Sequence, residues 1–162
     1  MSGAEHQLFA DDLVIGQTFR GEDRVIGDDA FSAFARLTGD DHPIHYDDAF
    51  AAKTRFGKRL AHGLLLMAMT AMGATAMSRR LQDAMVAFAE QKCRFMKPVF
   101  VGDTVSSRFE IIAIERKANR NTALVRMRVT LVKGDDEVVL DGEHAYLLLC
   151  QPEDAEGVER GA

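Results

Sequence analysis

Asp40 and His45 stand five residues apart in the run Thr38-Gly39-Asp40-Asp41-His42-Pro43-Ile44-His45-Tyr46-Asp47, and His62, within Ala61-His62-Gly63, follows seventeen residues after His45. Imidazole titrates near neutral pH, and a carboxylate can orient it or share its proton. The pair therefore suits moving a proton on or off water. Gly39 permits a positive φ and Pro43 disfavours helical geometry in the residue before it, so the stretch is expected to leave regular helix and turn both side chains toward one pocket. The same spacing also fits ordinary loop chemistry, with the aspartate in an Asx turn and the histidine at the surface. Asp40, His42, His45, Asp47 and His62 are metal-ligand types as well. The proline inside His42-x-x-His45 and the lack of an outer-ligand pattern argue against an ion, and no metal is expected. The chain holds no Gly-x-Ser-x-Gly elbow, phosphate loop, dinucleotide fingerprint or internal repeat.

The elements that must position these residues follow from periodicity. Val14 to Ile26 turns at Gly16 and is then extended. Asp28 and Asp29 can cap a helix with Phe31, Phe34, Ala35 and Thr38 on one face, stopped by Gly39. Asp47 to Ala52 is a short helix with acids in its first turn, and Lys53 to Leu60 is a basic connector. From His62 to about Arg80 the chain is apolar nearly all round, as expected of one enclosed helix. Beyond it, Met85 to Met96, the alternating runs from Val105 and from Ala123, and Val138 to Leu149 predict four antiparallel strands. Their turns fall near Gly102-Asp103, Asn119 to Asn121 and Lys133 to Asp136. The fold class is α+β, an antiparallel sheet wrapped around a long central helix.

At 162 residues the chain fits one domain, expected over 12–150, with a flexible tail at 1–11 and an acidic one at 151–162. A formal net charge of -5 argues against nucleic acid held by bulk charge. Neither a signal peptide nor a membrane span is evident, which makes a cytoplasmic home the expectation. Cys93 and Cys150 have no Cys-x-x-Cys spacing and are expected to be buried thiols.

Gly39, Asp40, Pro43, Ile44 and His45, then Ala61-His62-Gly63-Leu64, then Phe95 and Pro98-Val99 through Gly102-Asp103, stand in the order and spacing of three motifs of one family. On these residues the chain resembles the MaoC-like family of (R)-specific enoyl-CoA hydratases and acyl dehydratases, over about 12–150. The resemblance implies the hotdog fold, pairing as a homodimer or higher homo-oligomer, and reversible addition of water to a 2-enoyl-CoA thioester without a cofactor, coenzyme A being part of the substrate. It implies Asp40 and His45 as the acid–base pair and the Gly63 amide as the group that stabilises charge on the thioester oxygen. His62, Leu64, Phe56, Arg59 and Lys97 are the expected substrate contacts, with the acyl tunnel lined from within Leu64 to Met72 and by Phe50 or Phe56. Two positions depart from the pattern. His42 replaces the usual asparagine, and a hydroxyl expected within the central helix falls near Met69, Thr70 and Ala71. A hotdog thioesterase, which needs a carboxylate on the central helix, and a non-catalytic acyl-CoA binding module are the alternatives. No acidic residue lies on the expected helix before Asp83, which disfavours the thioesterase.

Overall fold

The computed structural model describes residues 6–118 and 121–151. The expected turn at Asn119 and Arg120, and the tail residues 1–5 and 152–162, lie outside the described residues. In chain order the elements are β1 (Thr18–Arg20), β2 (Arg24–Val25), α1 (Asp28–Thr38), α2 (Pro43–Tyr46), α3 (Asp48–Ala51), α4 (Gly63–Ala68), α5 (Ala76–Arg80), β3 (Met85–Phe95), β4 (Thr104–Arg116), β5 (Thr122–Lys133) and β6 (Glu137–Leu149). The four long strands match the four expected runs.

All pairings are antiparallel, in the order β1-β4-β5-β6-β3, with β2 also on β4. Phe109 and Ile111 of β4, Val125, Met127 and Val129 of β5, and Leu148 of β6 are buried. Arg126 and Arg128 point the other way and pair with Glu143 and Asp141 on the neighbouring strand. Register shifts at Ile111/Ala113 on β4 and twice on β3 bend the sheet, as bulges do. The helical segments fill the resulting curve. Leu65 and Leu66 of α4 pack with Phe31, Val99, Leu131 and Leu140, each side chain contributing roughly 1.5–3 kcal/mol by leaving water.

Three expectations are corrected. The single helix from His62 to Arg80 is divided into α4, a 3-10 turn at Met72–Ala74, and α5. Ala71 at the break is extended (φ -60°, ψ 118°). Thr70 and Thr75 turn their hydroxyls onto the carbonyls of Met67 and Met72, three residues back, competing with helical pairing, and Gly73 adds no helical preference. Residues 7–11 are not a frayed tail. Leu8 and Ala10 are buried, and the Leu8 amide donates to the Arg80 carbonyl. At the other end Gln151 is held by Asp11 and Asp12. Finally, the stretch after Gly39 regains one helical turn, because Pro43 occupies the first position of α2, where its missing N–H costs nothing.

Candidate active site

Three chain reversals bring the candidate residues together. Helix α1 ends on Gly39 in the left-handed region (φ 77°), a conformation that favours glycine. Thr38 donates its hydroxyl to the Phe34 carbonyl and accepts the Asp40 amide, so the chain leaves the helix with Asp40 at its tip. His42 then caps α2, its Nδ1 accepting from the Ile44 amide at 3.3 Å. The ring thus supplies the cap acceptor that an asparagine would give, and the departure at this position leaves the turn intact. One turn on, His45 faces the segment before α4 and donates from Nδ1 to the Leu60 carbonyl at 2.5 Å. His62 occupies the N-cap position of α4 and is 2 % exposed.

An Asp40 oxygen and one nitrogen from each of His45 and His62 all lie within 4.8 Å of one another. A single oxygen bonded at about 2.8 Å to two groups at a near-tetrahedral angle holds them about 4.6 Å apart, so this spacing suits one water. An ion fits less well. The His45 and His62 rings are stacked, 3.7 Å between centroids and 24° between planes, so their in-plane lone pairs run side by side rather than converging.

Hydrogen-bond directions fix the proton on each ring. The Tyr46 hydroxyl lies 3.1 Å from the Phe31 carbonyl and 3.0 Å from the Asp40 carbonyl, and spends its one proton there. It must therefore accept from His62 Nε2, at 2.8 Å. His62 Nδ1 is buried without a hydrogen-bond partner among the described residues. Burial first, and His45 next, hold its pKa below the ordinary imidazole value. His45, with Nδ1–H committed to Leu60, keeps a bare Nε2 for proton work.

Gly63 follows directly as the first residue of α4, where amides have no intrahelical carbonyl. A Cβ there would stand 3.0 Å from Cζ of Phe95, so the ring of β3 closes over this backbone. Leu64 is exposed and opens a groove of about 540 Å³ that runs between α4, the 3-10 turn and the strands β3 and β6. Met67 and Met72 line it, as does Thr70, in the region where the hydroxyl was sought. Phe50 and Phe56 do not. Phe56 packs on Phe100, under the Arg55 guanidinium.

The two basic residues among the expected substrate contacts are engaged by carboxylates. Arg59 is pinned between Asp28 and Asp48, whose carboxylates begin α1 and α3, and its own pKa is raised chiefly by the Asp28 hydrogen bond. Lys97 pairs with Glu137 at 2.6 Å. Asp40, His45 and His62 are thus brought together with Gly63 and Leu64 directly following, while Phe56 packs on Phe100 and Arg59 and Lys97 are each held by carboxylates. Tyr46, which sequence reasoning missed, ties the site together. Its signal was a phenol directly after the motif histidine.

The MaoC like domain model matches residues 12–133, about three quarters of the chain. The chain belongs to the MaoC-like family. It is 35% identical to a 3-hydroxybutyryl-CoA dehydratase of Methylorubrum extorquens over 84% of this chain and 81% of that protein. It is also 35% identical to an (R)-specific enoyl-CoA hydratase of Aeromonas caviae, over 66% of this chain and 77% of the relative. A Mycobacterium tuberculosis protein with a double hotdog fold superimposes with a TM-score of 0.74 at 25% identity, covering 93% of this chain and 47% of that one. The MaoC-like relatives named here are hydro-lyases, and the curled antiparallel sheet of this chain is a hotdog fold.

Proposed function

We propose that this chain adds water reversibly across the 2,3-double bond of a 2-enoyl-CoA thioester, giving a 3-hydroxyacyl-CoA. The observation that carries the reading is the cluster of Asp40, His45 and His62 directly before Gly63, in a MaoC-like chain. A water between Asp40 and His45 attacks the β-carbon while His45 Nε2 takes one of its protons. The double-bond electrons move onto the thioester oxygen, which the Gly63 amide stabilises. His45 then returns the proton to the α-carbon and the carbonyl re-forms, so one water is added and no cofactor is consumed. Asp40 holds the remaining water hydrogen and balances the transient imidazolium.

The groove beginning at Leu64 takes the acyl chain. Lys53 and Lys58, exposed on the connector before α4, serve the coenzyme's phosphates, since Arg59 is already neutralised by two carboxylates and Lys97 by Glu137. A second copy of this chain covers the outer strand β3 and completes the groove. Loss of the enoyl-thioester absorbance tests the reaction. Asp40→Asn and His45→Ala should each lower turnover by roughly 10²- to 10⁴-fold with an unchanged circular dichroism spectrum. Full activity in both variants rejects the reading.

A further inference from the structure

At the far end of the groove lies a second set of titratable side chains, which the reaction does not use. Thr70, His144 and Tyr146 are 0%, 3% and 5% exposed, and all three line the cavity. Their hydrogen bonds run in one direction. The Thr70 hydroxyl donates to the Met67 carbonyl at 2.6 Å, so toward His144 Nε2, 3.3 Å away, it can only accept. His144 then carries its hydrogen on Nε2 and offers Nδ1 as an acceptor, to which the Tyr146 hydroxyl donates at 2.9 Å. The Tyr146 oxygen lies beside the Met72 backbone. Phe88 stacks on Tyr146 and meets His144 edge-on, keeping both rings in place.

Every hydrogen in this chain is spent inward, toward backbone or a neighbour. Apart from the side-chain amide of Gln91 on β3, what remains for an occupant of the cavity is lone pairs. Burial keeps both ionisable members neutral, with the His144 pKa pushed down to about 4 and that of Tyr146 up to about 12. Among the described residues no lysine or arginine lines the groove. A carboxylate at the Thr70 and Tyr146 end would meet oxygen lone pairs and no cation, whereas a hydroxyl could donate to Thr70 or Tyr146. Thr70 lies about 10 Å along the helix from Gly63, a distance an extended chain covers in roughly eight bonds.

Resting on the hydratase reading, we propose that Thr70, His144 and Tyr146 are the specificity wall of the acyl groove, selecting uncharged medium-length chains and favouring those with a hydroxyl near the far end. The test uses 2-enoyl-CoA thioesters of matched length ending in methyl, hydroxyl or carboxylate, with 2-butenoyl-CoA as a short control. The Kd values of the saturated analogues are measured in parallel. The hydroxyl-ended chain should exceed the methyl-ended one in kcat/KM and in affinity by about fivefold, the worth of one net hydrogen bond. The carboxylate-ended chain should fall below the methyl-ended one by about a hundredfold or more. His144→Phe removes the acceptor that holds the Tyr146 proton and frees that O–H to face the groove, which should shrink the carboxylate penalty by about tenfold.

Equal use of the three chains by the native protein overturns the proposal, and so does an unchanged penalty in a folded His144→Phe. Should that variant not fold, the native panel decides alone. Absence of turnover on every substrate, 2-butenoyl-CoA included, with the affinity ranking intact would fault the reaction and leave the wall standing.

Discussion

On the proposed reaction, His62 and Tyr46 serve the chemistry through His45 rather than through the substrate. His62 lies flat against the His45 ring and is tethered at Nε2 by the Tyr46 hydroxyl, which itself is fixed by two main-chain carbonyls. On that reading proton transfer falls to His45, because burial, and the His45 ring next, hold the His62 pKa below the ordinary imidazole value. Tyr46→Phe keeps the ring and deletes the oxygen, leaving a buried His62 N–H unpaired. Stability to denaturant should fall by about 1–3 kcal/mol. Once His62 can turn over and present either nitrogen, the His45 plane is no longer held. The expected kinetic result is a kcat lowered by about tenfold with KM nearly unchanged, since the substrate's own contacts remain. A KM effect with native kcat would place Tyr46 in binding instead.

At the scale of elements, the break in the central helix and the His144 network are one feature. At the break the Met67 carbonyl takes both the amide and the hydroxyl of Thr70, and His144 bridges Thr70 to Tyr146. A buried neutral histidine makes this junction sensitive to acid. The unfolded ring binds a proton below about pH 6.5, while the folded one resists until about pH 4. Its contribution is therefore complete above pH 6.5 and is lost as pH falls toward 4. The total is about 3 kcal/mol, of which roughly 2 kcal/mol is gone by pH 5. Urea unfolding at pH 7 and pH 5 should show that difference in the native protein and a clearly smaller one in His144→Phe. Equal pH dependence in both would mean that His144 is not the titrating group.

The same junction marks what sequence could and could not give. Period-two runs located β4 and β5, because one face of each is buried and the register leaves no freedom, while β3 and β6 were expected as the strands that complete the set. Gly39 and the Asp40-to-His45 spacing marked the site, because turn geometry is set by local residue types. The central helix was misjudged because an all-round apolar run looks the same whether continuous or broken. What decides between them is a pairing across 74 residues, Thr70 with His144, that periodicity does not carry. Arg59 shows the same limit: its charge suggests a substrate contact, and its pairing with Asp28, 31 residues away, is not visible in local sequence.

For the whole molecule, the unresolved demand lies along β3. It pairs on one side with β6 and ends the sheet order, leaving a row of backbone donors and acceptors open. Val86, Phe88, Phe95 and Met96 on this strand and just beyond it are each about half exposed, and Leu64 of α4 adds to the same apolar band. Phe88 and Leu64 also line the acyl groove, so the band and the groove are continuous. A second copy set against β3 would pair the open edge, cover the band and close the groove, with about 800 Å² per partner as the area a stable pair requires. Val86→Glu combined with Met96→Glu places two charges in that contact without touching Asp40, His45 or Gly63. Sedimentation should move from dimer to monomer, and kcat/KM should fall by at least about tenfold for medium-length chains but much less for 2-butenoyl-CoA, which does not need the closed groove. A variant that remains dimeric would move the interface off β3. A monomer with native activity on long chains would show that one copy is enough to hold the acyl group.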